Sequence, residues 1–169
     1  MTATTGPEIT LVDTEPRVTA VVCGRLRPEQ LPGFLGPAFQ AVAAAVERQG
    51  AHVTGPPFTA YRAVGDREFD VEAGFPVAAR IVPDGSVRPG ELPGGQTVET
   101  IHIGPYETLP ETYGRILDWL RVRGLQPGRR MWESYLTDPD DPEHRHPEGP
   151  QTLVVQPVEA ELPAGTGGR

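Results

Sequence analysis

Alternating apolar and polar residues predict most of the strands in this chain. A strand turns successive side chains to opposite faces, so alternation or a short apolar run between turn residues is typical of a strand. The predicted strands are 9–22, 58–64, 68–73, 97–103, 129–136 and 152–158. Residues 77–82 also favour an extended chain, and loops rich in glycine and proline are predicted at 83–95 and 137–150.

Two other stretches repeat apolar residues at helical spacing. Proline and glycine are frequent in residues 28–37, so the first helix is expected over 37–49, with a proline in its first turn. The second helix is expected to start after Thr108, which forms a capping-box signature with Glu111, and to end at Gly124. Each helix has an apolar stripe that would pack on a sheet.

The order strand, helix, strand, strand occurs twice, which indicates an internal repeat. An aromatic residue lies eleven positions before the glycine that follows each helix, and another lies eleven positions after it. These triplets are Phe39, Gly50 and Tyr61 in the first half and Tyr113, Gly124 and Tyr135 in the second. In this register Tyr61 corresponds to Tyr135. Thr59 then takes the position of Glu133.

The repeat predicts an α+β fold. One hairpin with one helix cannot cover its own short sheet, so two duplicated β-α-β-β modules are expected to join into one curved antiparallel sheet. We expect both helices on one face of this sheet and a ligand groove on the other. The domain is predicted to span residues 8–158, with halves at about 8–82 and 96–158 and flexible termini at 1–7 and 159–169.

The charge balance and the distribution of apolar residues exclude several classes of protein. The chain has 15 basic and 23 acidic residues and a formal net charge of -8, which argues against direct binding of nucleic acid. The sequence has no apolar run of about 18 residues to span a membrane, and its first residues do not resemble a signal peptide. A cytoplasmic location is therefore expected. The single Cys23 excludes an internal disulfide, and its apolar neighbours predict a buried thiol.

The sequence carries no pattern typical of a metal or cofactor site. His144 and His146 are close, but no third ligand has a suitable spacing and the surrounding loop is acidic and rich in proline. A serine–histidine–aspartate arrangement, a phosphate-binding glycine loop and a dinucleotide fingerprint are all lacking. We therefore predict neither a bound metal nor a cofactor.

Glu133 is the strongest candidate for a functional residue, because it is a carboxylate in an otherwise aromatic strand. An ideal strand places Glu133 and Tyr135 on one face and Trp132 on the other. A carboxylate beside aromatic rings suits a cation, since the rings add cation–π attraction to its charge. On a solvated strand face the same carboxylate would only pair with Arg129 or Arg130.

Four motifs, in order, resemble the GyrI-like family, the effector-binding domain of bacterial transcription activators. They are Asp70-Val-Glu-Ala-Gly-Phe-Pro-Val77, His102-Ile-Gly-Pro-Tyr-Glu107, Trp132-Glu-Ser-Tyr-Leu-Thr-Asp-Pro139 and Gln156-Pro-Val158. The resemblance covers about residues 8–158. It implies an aromatic groove in which an acidic residue meets cationic or polar drug-like ligands. Many members of the family also carry an AraC- or MerR-type DNA-binding domain; none is expected here, so transcription activation is not carried over.

By this resemblance Glu133 matches the acidic residue of the groove. The aromatic residues expected beside the ligand are Tyr61, Tyr106, Tyr135, Phe75 and Trp132. The leading interpretation is a module that senses or sequesters amphipathic, often cationic small molecules. Two alternatives stay open, a hydrolase that opens strained cyclopropane rings and an interaction module for a partner such as gyrase or a regulator. In the hydrolase, Glu133 would activate water and Tyr135 would donate to the developing charge.

Overall fold

The computed structural model describes residues 7–137 and 149–159, which contain two α-helices, two short 3-10 helices (Pro28–Gln30 and Tyr106–Thr108) and nine strands. The helices are α1 (Leu31–Arg48) and α2 (Leu109–Val122). The strands are β1 (Thr10–Thr14), β2 (Arg17–Leu26), β3 (Phe58–Ala63), β4 (Phe69–Pro76), β5 (Val87–Leu92), β6 (Gly95–Ile103), β7 (Gln126–Pro127), β8 (Arg130–Tyr135) and β9 (Gln151–Glu159). Neither described helix has the length and apolar content that crossing a membrane requires. The pair His144 and His146 and most of both predicted flexible termini lie outside the described residues.

The strands form one antiparallel sheet in the order β1-β6-β9-β8-β3-β4-β2-β5, with β7 also paired to β9. This order is symmetrical about the central pair β3 and β8. On one side, β3 is followed by β4, its hairpin partner, and then by β2, the strand before α1. On the other side, β8 is followed by β9, its hairpin partner, and then by β6, the strand before α2. The predicted α+β fold, a duplicated β-α-β-β module forming a curved antiparallel sheet, is confirmed.

The connection between β1 and β2 shows how strongly the sheet curves. The two strands are six positions apart in the sheet order, roughly 29 Å in a flat sheet with strands about 4.8 Å apart. Only Glu15 and Pro16 join them, and a link of this length spans at most about 11 Å. The two ends of the sheet are therefore brought together, and one face is turned inward.

The inward face is filled by its own side chains, whereas the outward face carries both helices. The inward cluster consists of Val21, Phe58, Ala60, Leu92, Trp132 and Val155. On the outward face, Val42 of α1 shares a core cluster with Ala20 of β2. Leu120 of α2 shares another with Val154 of β9. The two helices thus cover opposite ends of one face, with β3 and β8 between them.

The first helix begins earlier than the sequence predicted. α1 starts at Leu31, so Pro37 lies inside the helix and not at its start. A proline there removes one backbone hydrogen bond and disfavours helix locally. Packing of the apolar face from Ala38 to Val46 on the sheet stabilises the helix in spite of this, because most helix stability in proteins comes from tertiary contacts.

Two strand predictions also change. Residues 9–22, predicted as one strand, divide at Pro16 between β1 and β2, which pair at opposite ends of the sheet. β5 lies inside the predicted loop 83–95. It contains Pro89, which has no N–H to donate, and the edge of a sheet tolerates such a residue because one side of the strand has no neighbour.

Two local predictions need correction as well. Cys23 is exposed and not buried, and it lies opposite the charged Glu72 in the β2–β4 pair. Thr108 precedes α2 as predicted, but its side chain makes no capping hydrogen bond. Its hydroxyl donates instead to the carbonyl of Pro105 at 2.8 Å. Gly124 follows α2 with φ of 70°, the left-handed conformation typical of the residue after a helix.

Candidate ligand-binding site around Glu133

Glu133 lies at the centre of the sheet, on the axis of the symmetrical strand order. It is the cross-strand partner of Thr59, and Tyr61 is the partner of Met131. Tyr61 and Tyr135 lie two residues beyond the Thr59–Glu133 pair in opposite directions, so they flank it from both sides. The pairing register thus brings two tyrosines of different strands beside one carboxylate.

A hydrogen-bonded network joins these side chains. The hydroxyls of Tyr61 and Tyr135 donate to Oε1 of Glu133 at 3.2 and 3.1 Å. The Tyr135 oxygen also lies 2.8 Å from Oγ1 of Thr59. A phenol carries one proton, so Thr59 donates to Tyr135 when Tyr135 donates to Glu133. The Tyr135 hydroxyl therefore links Thr59 to the carboxylate.

Burial sets the protonation states in this network. Glu133 is only 3% exposed. Its removal from water raises the pKa of the carboxyl group to about 7, although the two tyrosine hydroxyls favour the ionised form. The pKa values of Tyr61 and Tyr135 are raised above their ordinary value, mainly by burial and also by the nearby Glu133 charge. The tyrosines are therefore neutral donors at neutral pH, where Glu133 is close to half ionised.

Aromatic rings surround the network on the side of the helices. Phe39 of α1 packs edge-on against Phe75 of β4 and against Tyr135, with ring centres 6.0 and 6.1 Å apart. Tyr106, just before α2, packs edge-on against Tyr135 at 5.9 Å and is 44% exposed. The site thus has one wall from each helical segment, and Tyr106 lies at its solvent side.

A buried histidine fixes the chain immediately before Tyr106. Nε2 of His102 lies 3.0 Å from the carbonyl oxygen of Pro105, and Nδ1 lies 2.7 Å from the hydroxyl of Thr112. A carbonyl oxygen can only accept, so Nε2 carries a proton and donates it to Pro105, while Nδ1 shares a second hydrogen bond with the Thr112 hydroxyl. His102 therefore holds the start of α2 against β6 and sets the position of Tyr106.

The candidate site lies on the face that carries the helices, and not on the opposite face where the groove was expected. Met131, on the same face as Glu133, belongs to the core cluster beneath α2, and Tyr135 packs against Phe39 of α1. Curvature turns the opposite face into the protein interior. Trp132 lies in that interior, is 6% exposed and faces away from Glu133, as an ideal strand predicts, so the place beside the ligand that the family resemblance implied for Trp132 needs correction.

The flanking side chains close over the carboxylate. Two surface cavities of about 150 and 370 Å³ share Asp70 and Glu72 in their walls. Tyr61 reaches the smaller one, and Glu133 lines neither of these two. Glu133 is 3% exposed, so neighbouring side chains shield the carboxylate from solvent.

The network has the chemistry to hold a cation or to exchange a proton. Ionised Glu133 supplies a negative charge in a low-dielectric setting, where charge interactions are strong. A carboxyl group with a pKa of about 7 can also accept or donate a proton near neutral pH. No group of three or more side chains suited to holding a metal ion occurs among the residues that the structure describes.

Phe39 and Thr59 were not predicted as site residues. Thr59 carried a signal, because the repeat aligned it with Glu133 and a symmetrical sheet pairs such residues at its centre. For Phe39 the helical spacing predicted only that its side chain faces the sheet. The sequence has no signal for which strand residue α1 covers, since that depends on how the helix crosses the sheet.

Comparison with known proteins agrees with this architecture. A family model described as a GyrI-like small molecule binding domain matches residues 7–149. No curated protein sequence gives a match. Among solved structures, the C-terminal domain of EcmrR superposes with a TM-score of 0.73 at 20% identity, covering 90% of this chain and 98% of that domain.

Two further solved structures share the fold at low identity. SAV2435, solved with bound tetraphenylphosphonium, has a TM-score of 0.63 and 9% identity, and the match covers 90% of this chain and 94% of that one. A hydrolase from Listeria innocua has a TM-score of 0.59 and 16% identity, with 89% and 91% covered. At these identities the likeness establishes the fold alone.

Proposed function

Because this chain belongs to the GyrI-like family of small-molecule binding domains, we propose that it binds amphipathic aromatic cations, with Glu133 as the anionic anchor. The observation that carries this proposal is the buried carboxylate, which accepts hydrogen bonds from both Tyr61 and Tyr135. Tetraphenylphosphonium, the ligand held by SAV2435, belongs to the same chemical class. Sensing, sequestration and resistance would all use this binding step.

The network explains how the protein tolerates a buried acid. Two tyrosine hydroxyls and, for part of the time, a proton compensate the charge of Glu133. A lipophilic cation would replace this compensation with a full positive charge. Each ring that faces the cation, with Tyr106 and Phe75 as candidates, would add about 0.5–2 kcal/mol of cation–π attraction.

Calorimetric titration with tetraphenylphosphonium tests the proposal. Only ionised Glu133 can anchor a cation, and its ionised fraction rises about tenfold between pH 6 and pH 8 for a pKa of about 7. The affinity should therefore rise about tenfold over this range. Glu133→Gln should bind at least about 30-fold more weakly at pH 8, because a buried charge pair is lost, and it should show no such pH dependence.

A matched variant separates the anchor from a general charge effect. Glu99→Gln removes a half-buried acid of β6 on the inward face, away from the network. This variant should bind the cation as the wild type does. Equal affinity of Glu133→Gln and wild type would refute the anchor role, and an absence of binding by the wild type would refute the proposed ligand class.

A second candidate function is hydrolysis of strained cyclopropane rings, with Glu133 as base and Tyr135 as donor. Its support is the pKa of about 7, which suits proton transfer near neutral pH, next to a tyrosine that stays neutral. Turnover of a cyclopropane-bearing alkylating compound by wild type should fall at least about a hundredfold in Glu133→Gln. If the wild type binds several such compounds without turning them over, the hydrolase proposal is refuted and only the binding proposal stands. Modulation of gyrase stays a prediction of the family resemblance.

A further inference from the structure

Thr152 has an unusual place beside the Glu133 network. It lies on β9 and is the cross-strand partner of Tyr135 on one side and of His102 on the other. Its side chain is therefore on the same face as Glu133. Thr152 is fully buried, with 0% exposure. Among the described residues, its hydroxyl has no hydrogen-bond partner.

Other threonine hydroxyls on this face and in the adjoining segments are satisfied. Those with hydrogen bonds to described neighbours are Thr59, Thr100, Thr108, Thr112 and Thr137. A buried hydroxyl without a partner is unfavourable, and native proteins contain few of them. Such a group beside a binding site is explained if a ligand supplies its missing partner.

The position of Thr152 also fits a ligand anchored on Glu133. Val154 is the direct partner of Glu133, so Thr152 is its diagonal neighbour on β9. Diagonal neighbours of this kind lie roughly 7–8 Å apart. A ligand with its cationic centre against the carboxylate therefore extends over Thr152 if it is as large as a substituted aromatic ring.

We propose that Thr152 is a specificity-determining residue that donates a hydrogen bond to an oxygen atom of the bound cation. The preferred ligands are then amphipathic aromatic cations that also carry a hydrogen-bond-accepting oxygen. Cations made of hydrocarbon rings alone would bind through Glu133 and leave Thr152 unsatisfied. This inference rests on the proposed function and names a narrower class of ligand for the same site.

The test uses two ligands that differ in one group, tetraphenylphosphonium and its analogue with a para-acetyl group on one ring. The para position puts the carbonyl oxygen about 7 Å from the phosphorus, which matches the spacing of diagonal neighbours. Thr152→Val keeps the shape of the side chain and removes the hydroxyl. It should weaken binding of the acetyl analogue about five- to tenfold and leave the affinity for tetraphenylphosphonium unchanged.

The chain offers a matched control for the loss of a buried hydroxyl. Thr97 is 1% exposed, and its hydroxyl also has no partner among the described residues, but it lies on the inward face. Both Thr152→Val and Thr97→Val should raise the midpoint of thermal unfolding by roughly 2–4 °C, because each removes an unsatisfied hydroxyl. Only Thr152→Val should alter binding of the acetyl analogue.

Each outcome decides the inference. If the acetyl analogue binds wild type and Thr152→Val with equal affinity, the inference is overturned. The proposed function still stands in that case, provided that the wild type binds tetraphenylphosphonium. A lower unfolding midpoint in Thr152→Val also overturns it, since the hydroxyl would then have a partner within the protein. If the wild type binds neither cation, the proposed function itself fails, and the inference falls with it.

Discussion

At the scale of single residues, the charge on Glu133 reflects two opposing effects. Burial favours the neutral acid, whereas hydrogen bonds from Tyr61 and Tyr135 favour the carboxylate. Burial is the larger effect, so the pKa rises to about 7 from an ordinary value of 4.5. Glu133 is therefore partly protonated at neutral pH, and binding of the proposed cation would release this proton.

This pKa predicts how stability depends on pH. Between pH 4.5 and 7 the folded protein keeps the Glu133 proton that the unfolded chain has lost, so the free energy of unfolding falls as pH rises. For a difference of this size the fall is about 3 kcal/mol, complete above pH 7.

Urea denaturation from pH 4 to pH 8 should show this fall in wild type and its absence in Glu133→Gln. Glu47→Gln, at an exposed position of α1, should behave as wild type. Parallel pH curves for wild type and Glu133→Gln would contradict the raised pKa.

At the scale of elements, α1 has an unusual first half. The buried residues of the helix begin at Ala38, and the preceding segment contains Gly33, Gly36 and Pro37. Glycine costs roughly 0.5–1 kcal/mol relative to alanine inside a helix. The end of α1 that leads to Phe39, and so to the site, is thus the part with the weakest helix preference.

Gly36→Ala should stabilise the protein. A methyl group at this position meets no atom within 4 Å, and the backbone is helical, so the gain in helix preference is about 0.5–1 kcal/mol. Thermal unfolding should show a midpoint raised by roughly 1–4 °C. Gly50→Ala is the contrasting variant, because Gly50 has φ of 64° and an added side chain is strained there. A lower midpoint for Gly36→Ala would mean that the start of α1 is not helical in solution.

At the scale of the whole molecule, curvature of the sheet brings distant strands into contact on the inward side. Arg130 of β8 donates to Glu72 of β4 at 2.9 Å and to the carbonyl oxygen of Glu91 on β5 at 3.3 Å. In a flat sheet β8 and β5 would lie about 19 Å apart, beyond the reach of one side chain. Arg130 therefore bridges strands that only curvature brings together.

Removing this bridge should cost stability without affecting ligand binding. Arg130→Met should lower the free energy of unfolding by about 1–2 kcal/mol, because the ion pair with Glu72 is partly buried. Arg121→Met breaks the largely exposed pair with Asp118 and should cost less than about 0.5 kcal/mol. Urea denaturation measures both. Equal losses in the two variants would show that the bridge adds nothing beyond a surface pair. Affinity for tetraphenylphosphonium should be unchanged in each, since Arg130 faces away from Glu133.

The sequence by itself determined the elements and the repeat. Alternation and helical spacing record which residues face a core, so both helices and most strands were predicted from local pattern. The repeat register also aligned Tyr61 with Tyr135 and Thr59 with Glu133. A symmetrical sheet must bring such residues together at its centre, and this is why the principal members of the candidate site were visible in the sequence.

Tertiary structure alone decided which face holds the site and what covers it. The curvature of the sheet is the sum of small contributions from many strand pairs, and a local sequence pattern does not contain this sum. The inward burial of Trp132 and the pairing of β5 could therefore not be predicted. The start of α1 at Leu31 depends on packing that overrides local preference. The contact of Phe39 with Tyr135 and the unsatisfied hydroxyl of Thr152 likewise depend on distances between elements, which a sequence does not contain.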